Sequence, residues 1–263
     1  MKPIDAIFLS YSKTEELYAM TKLAIRSLRE NNPDYIFNVC VVQTCDNKFG
    51  DEEYFDDESV FVVHPNKKFH FNDFLRYGYN EMPHSSDFIL ICNDDIYFRK
   101  GSVNELIKGT KYFEICSPKN PDSRYDGELQ SKHKTGYIQG YTTSEHLSGF
   151  CHLINKRIFE TIPIDIFWHT NFGGYFQDYW IAFLCKVNKI PIGLCADAIV
   201  DHNERGSWKN PNVSEIKYFS MRQKSIYNRM RVWYIVKKHL GLFGNKLTTK
   251  DLKDYAKNAK EMK

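Results

Sequence analysis

The 263-residue sequence has no Cys-x-x-Cys pair, no Gly-x-Gly-x-x-Gly after its first apolar segment and no Gly-x-x-x-x-Gly-Lys-[Ser/Thr] anywhere. The first absence argues against a zinc ribbon, the second against a Rossmann dinucleotide site, and the third against P-loop chemistry. No apolar run approaches the roughly 18 residues that cross a bilayer, and the opening "MKPIDAIFLSYSKTEE" is too short in apolar residues for a signal peptide. Charge of one sign is also lacking. With 36 basic and 33 acidic residues the formal charge is only +3, too weak a field to name a polyanionic partner. The seven cysteines are odd in number and mostly sit inside apolar runs, which predicts reduced core thiols and a cytoplasmic protein. No internal repeat and no obvious linker interrupts the chain.

What is present is enough apolar and aromatic residue, 42% and 15%, to bury one large α/β core. The first 120 residues alternate two periodicities. Strands are predicted at 4–10, 36–43, 60–64 and 87–92, with helices between them. Ser12 and Glu15 read as a capping box opening a helix that runs to Glu30, where Asn31-Asn32-Pro33 stops it. A second helix is predicted from Asn72 to Glu81. Such alternation implies a parallel sheet covered on both faces. The acidic stretch 46–59 reads as a solvated loop, and 119–145 as a long functional loop or lid. After it, "LSGFCHLINKRIFETI" reads as strand then helix, and "GGYFQDYWIAFLCKVNK" as a loop entering a helix. "IPIGLCADAIVDH" reads as two short strands broken at a glycine. Helices are predicted at 214–239 and 249–260.

Ligands of an open α/β sheet bind at the carboxyl ends of its parallel strands. Three polar clusters fall there: Ser10-Tyr11-Ser12, Asp46-Asn47 and Asn93-Asp94-Asp95. In extended backbone, residues two apart face the same side, so Asn93 and Asp95 can reach one ion while Asp94 points elsewhere. Hard divalent cations take oxygen ligands, commonly one or two carboxylates with substrate phosphates. The same residues also suit an Asx-rich turn. Asp178 opens a helix, where an acid complements the dipole, and His202 follows a short apolar strand. An imidazole there is either structural or a metal ligand.

Taken in order, "ILICNDDIYF", "GFCHLINKRIFETI", "GGYFQDYWIAFLCKVNK" and "IPIGLCADAIVDH" resemble the GT-A glycosyltransferases, particularly the family-2-like group, over residues 4–205. The resemblance implies a GT-A α/β fold with a mostly parallel central sheet and a nucleotide-sugar donor, UDP-sugar first. It also implies a divalent cation, Mn²⁺ or Mg²⁺. Asp95 matches the metal-binding Asp of the DxD motif, with Asn93 in place of the first Asp and Asp94 facing the sugar or ribose. His202 matches the third metal ligand. Tyr11 and Asp46 match positions that hold the base and ribose, and Arg76 a region that contacts the donor. Asp178 matches the catalytic base of inverting members, with Gln177 where the family usually has Glu.

On that resemblance, 1–205 is the catalytic domain, with a donor half (1–118) and an acceptor half (119–205). Residues 206–263 form a helical extension packed on the same domain. The segment "KYFSMRQKSIYNRMRVWYIVKKHLGLFGNK" interleaves cations with aromatics, which suits a polyanion or a membrane surface. Similar bacteriophage enzymes glycosylate hydroxymethylated pyrimidines, or a sugar already on such a base, in DNA. DNA is therefore one candidate acceptor in a host cytoplasm, and a glycan or protein is the other. Two rivals stand outside this reading: a metal-dependent nucleotidyltransferase or nuclease, and a non-catalytic nucleic-acid-binding protein. The first needs more clustered carboxylates than the motifs supply. The second leaves Asp95, Asp178 and His202 without a role.

Overall fold

The computed structural model describes residues 2–45, 59–121, 135–140, 147–172, 176–203 and 213–239. The chain divides into two compact units, Met1–Pro211 and Asn212–Lys263. In the first unit the described elements run β1 (Lys2–Ser10), α1 (Glu15–Glu30), β2 (Tyr35–Gln43), β3 (Val60–Val63), α2 (Phe71–Glu81), β4 (Phe88–Asn93) and β5 (Ile96–Phe98). They continue with α3 (Ser102–Gly109), β6 (Ile115–Lys119), β7 (Tyr137–Gln139), β8 (Cys151–Asn155), α4 (Ile158–Thr161), α5 (Ile164–Phe167), α6 (Gln177–Val187) and β9 (Ile192–His202). In the second unit the described element is α7 (Val213–His239). The prediction of a final helix at 249–260 lies outside the described residues, as does nearly all of the acidic stretch 46–59.

Among the described residues nine strands form one sheet in the order β3-β2-β1-β4-β8-β6-β9-β5, with β7 beside β9. The first four strands are parallel, as the alternation of periods implied. Beyond β4 the sheet is mixed: β8 is antiparallel to both β4 and β6, β6 is parallel to β9, and β5 and β7 are antiparallel to β9. Strand order reverses at β1, because β2 and β3 lie on one side of it and β4 on the other. Such a reversal leaves a crevice outside the carboxyl ends of the two strands. Ser10 and Asn93 end those strands.

Burial explains the strands. Every residue from Ile4 to Ser10 is buried, so this run has no solvent face and reads as a central strand. It includes Asp5, which has no exposed surface. Its carboxylate accepts from Lys156 Nζ at 2.5 Å and from Asn38 Nδ2 and Ser85 Oγ, each at 3.0 Å. A buried charge survives only when paired and hydrogen-bonded in this way. The helical layer contributes the fully buried Trp168 and Trp180, and the Trp180 indole N–H donates to the Ile166 carbonyl at 2.8 Å. No disulfide forms among the described cysteines, six of which are buried.

Three local readings change. The cap of α1 is Thr14, whose hydroxyl accepts from Leu17 N–H at 3.3 Å. Ser12 is unavailable for that role because its hydroxyl is buried against Ser10 Oγ at 2.5 Å, and Ser10 Oγ in turn meets Thr21 Oγ1 at 2.7 Å. The segment "IGLCADAIVDH" is one 11-residue strand, not two broken at the glycine. Gly193 is there for room, since a Cβ would sit 2.3 Å from the Phe113 ring. The irregularity comes later, where the register with β6 jumps from Pro118↔Cys195 to Lys119↔Ile199. Finally, the 119–145 stretch contains a strand, β7, so it is not loop throughout. Residues 122–134 and 141–146 lie outside the described residues.

Candidate active site

At the crevice between β1 and β4 lies a cavity of about 510 Å³. Tyr11, Asn93, Asp94, Asp95, Asp178 and His202 all line it. The structure thus brings together six of the eight residues singled out from the sequence. Asp46 lies outside the described residues. Arg76 is on α2 and donates to Asp73 Oδ1 at 2.9 Å; it is not among the residues lining this cavity.

Each side chain is placed by a different pairing. Strand β4 ends at Asn93, whose N–H donates to the Phe150 carbonyl at 2.9 Å. Two residues later the chain re-enters the sheet as β5, antiparallel to β9, with Ile96 opposite His202. That register carries Asp95 to the end of β9. Asn203 N–H donates to the Asp95 carbonyl at 2.8 Å, and Asp95 Oδ1 lies 3.2 Å from His202 Nε2. The Asn93 side-chain amide nitrogen is 3.4 Å from the same ring nitrogen. Asp94 turns the other way and accepts from Tyr11 N–H at 2.7 Å through Oδ2. The Phe150 ring lies flat against the His202 imidazole, with centroids 5.0 Å apart and planes within 10°. One face of the imidazole is therefore packed, and the ring is held by the end of β4, the turn that follows it and the residue before β8.

Asp178 comes from the first turn of α6, where the helix dipole stabilises negative charge. The residue capping the helix, Phe176, is a non-glycine residue in the left-handed region with φ 62°. Such a conformation costs on the order of 1–2 kcal/mol and fixes the direction in which the first turn leaves. Gly149 faces Asp178 so closely that a Cβ there would lie 2.5 Å from Asp178 Oδ1. The Ser148-Gly149-Phe150 segment therefore does two jobs the sequence did not assign: Gly149 makes room for one carboxylate and Phe150 braces the histidine. The only signal in the sequence was a Ser-Gly pair directly before an apolar strand.

Negative charge is concentrated here. Burial pushes the Asp94 carboxyl up to about 6; the Tyr11 N–H opposes this rise, and the neighbouring Asp95 charge adds to it. Among the described residues lining the cavity are three aspartates and no Lys or Arg. Asp95 and His202, with the Asn93 amide beside them, form an oxygen-and-imidazole set of the kind Mn²⁺ and Mg²⁺ accept when substrate oxygens complete the shell. Among the described residues no three His, Cys, Asp or Glu side chains gather as a metal cage. Such a donor set would cover one side of a cation only. A second cavity, about 790 Å³, adjoins at the ends of β2 and β3 and shares Thr44 and Phe69 with the first. His64, Lys67 and Lys68 line it.

These strand ends, the order reversal at β1 and the acid turn after β4 define a GT-A fold, the α/β fold of nucleotide-diphospho-sugar transferases. No family model and no curated sequence matches the chain. Among solved structures it is similar to residues 1–349 of S. aureus TarS in complex with UDP-GlcNAc, with a TM-score of 0.59 at 15% identity. The match covers 86% of this chain and 66% of that one. It is also similar to the same TarS fragment alone and to S. aureus TarS, with TM-scores of 0.52 and 0.55 at 14% identity. Each of these covers 76% of this chain, and 59% and 36% of the respective TarS chains. The chain thus spans less than two thirds of the TarS chains it matches, and at these identities the likeness is one of fold. Among the described residues no helix is long and apolar enough to cross a membrane.

Proposed function

We propose that the protein transfers a sugar from a nucleotide-diphospho-sugar, UDP-sugar first, to an acceptor hydroxyl with inversion at the anomeric carbon. The observation that carries this reading is the cavity at the β1/β4 switch point, where Asp95, His202 and Asp178 face one space without a lining cation among the described residues. A diphosphate enters such a space only with a positive ion. Asp95 and His202, with Asn93, would hold Mn²⁺ or Mg²⁺, which when bound offsets the charge of the departing nucleoside diphosphate. The adjoining cavity gives the nucleoside room, and both volumes lie in the range of small-molecule sites.

The protein's own residues then have separable roles. Asp178 accepts the proton of the acceptor hydroxyl, the oxygen attacks the anomeric carbon, and the bond from that carbon to the diphosphate breaks. Gly149 lets Asp178 stand at the cavity wall. Asp94, bonded to the Tyr11 N–H, ties the two strand ends that receive the donor. The TarS complex with UDP-GlcNAc supports a UDP-sugar donor on this fold. A hydroxymethylated or glycosylated base in DNA, as in phage enzymes, has only the basic α7 in its favour, and a glycan or protein acceptor accounts for the site equally.

The test is isothermal titration with UDP in the presence and absence of Mn²⁺, followed by a mass-spectrometric screen. UDP-, GDP- and dTDP-sugars would be offered with hydroxymethylated DNA and simple glycans. Mn²⁺-dependent UDP binding that disappears in Asp95→Ala and on chelation is the expected result. Binding of UDP indifferent to both, or no product from any donor, would sink the reading.

A further inference from the structure

Helix α7 carries two different faces. Gln223, Tyr227, Met230 and Tyr234 are buried. Met221, Val232 and Ile235 are 66%, 58% and 39% exposed, high for apolar side chains. With the exposed Ser225 and Asn228 they follow one another at alternating spacings of four and three, so they form a single stripe along the helix. A row of exposed cations spaced by seven flanks each side of it: Lys224, Arg231 and Lys238 on one, Arg222 and Arg229 on the other. From 216 to 250 the sequence contains no Asp or Glu.

The spacing of four and three is also that of a coiled-coil seam, so a second copy is the first partner to consider. It fails on charge. A seam is flanked by residues that pair across the interface, and here both flanks are cationic, so two copies would set like charges against each other. A nucleic acid would satisfy the cation rows yet leave Met221, Val232 and Ile235 in water. An anionic bilayer satisfies both features at once. The Met221, Val232 and Ile235 side chains of the stripe enter the boundary between headgroups and acyl chains, and the flanking cations lie level with the phosphates. The Arg231 guanidinium lies over the Tyr227 ring at 5.4 Å.

We propose that the exposed face of α7 binds an anionic lipid surface, with the helix lying in the membrane plane. The proposal does not rest on the transferase reading, because vesicle binding is read without donor or acceptor. The experiment is flotation of the full chain with vesicles of phosphatidylcholine alone and of equal parts phosphatidylcholine and phosphatidylglycerol. The protein should float with the anionic vesicles only, and less so at high salt. Each cation at the surface contributes roughly a fivefold factor, so Lys224→Gln with Arg231→Gln should lower partitioning roughly thirtyfold. Val232→Ser with Ile235→Ser should also weaken it, and the loss should persist at high salt. Helicity by circular dichroism checks that each variant folds, and the wild-type contrast between the two vesicles decides without any variant. Equal flotation with both vesicles, or none with either, overturns the proposal. So does unchanged binding by the Val232/Ile235 variant, which would leave the cation rows acting alone and point to a nucleic acid.

Discussion

The two halves of the sheet are built on different terms. From β1 to β4 the strands are parallel and end at a common edge. From β6 to β9 they are mixed, and among the described strands β9 alone pairs with three partners, β5, β6 and β7. The first half supplies the strand ends at the crevice; the second supplies His202, Phe150, Gly149 and Asp178. On the proposed function the regular half carries Asn93 and Asp95 at the crevice, and the irregular half brings His202 and Asp178 to them.

The largest effect should come from the irregular half. Asp178→Ala should lower the transfer rate by a factor of about 10²–10⁴ while leaving UDP binding by titration intact, as expected for loss of a base. A variant that transfers at the wild-type rate would remove Asp178 from the mechanism. In the regular half the largest effect should be on stability. Lys156→Met leaves the Asp5 carboxylate buried without its cation and should cost about 3–5 kcal/mol in chemical denaturation. Lys156 belongs to the turn after β8, so this ion pair also measures how far the two halves fold as one. Unchanged denaturation midpoints would mean that Asn38 and the Ser85 hydroxyl suffice.

A smaller change should separate place from chemistry. Gly149→Ala puts a Cβ within 2.5 Å of Asp178 Oδ1 and should reduce kcat by roughly tenfold to a hundredfold with donor affinity unchanged. Equal losses in both would show that Gly149 serves the cavity as a whole. The smallest effect belongs to the cap of α1: Thr14→Ala should cost about 1 kcal/mol of stability, with activity retained. A larger loss from Ser12→Ala would then report the buried hydroxyl chain of Ser10, Ser12 and Thr21, not a helix cap.

These contrasts also mark what was legible in the sequence. Strands β1 to β4, helices α1, α2 and α7 and the opening of α6 could be read within a residue or two, because each is a local run with one period and a clear stop. The cap of α1 was misplaced by two residues, since Ser12 and Thr14 are chemically equivalent in sequence and only burial against Ser10 distinguishes them. The supposed break at Gly193 was a packing glycine. A sequence shows that a side chain is missing there but not that the Phe113 ring lies in the gap. Strand β7, three residues long inside a polar stretch, has no period to read and exists because β9 offers it an edge.

The sequence by itself determined the element types of the first half, the acid turn after β4 and the opposite facing of adjacent residues within it, because these depend on local backbone geometry. It also determined the cation rows of α7, which follow from helical spacing alone. Only the tertiary structure decided that Asp95 meets His202, that Asp94 turns to Tyr11, that Phe150 braces the imidazole and that Gly149 stands against Asp178. Those contacts join residues about 30 to more than 100 positions apart. They arise from the pairing of β5 with β9 and from the entry of α6, and no local pattern encodes a partner that distant.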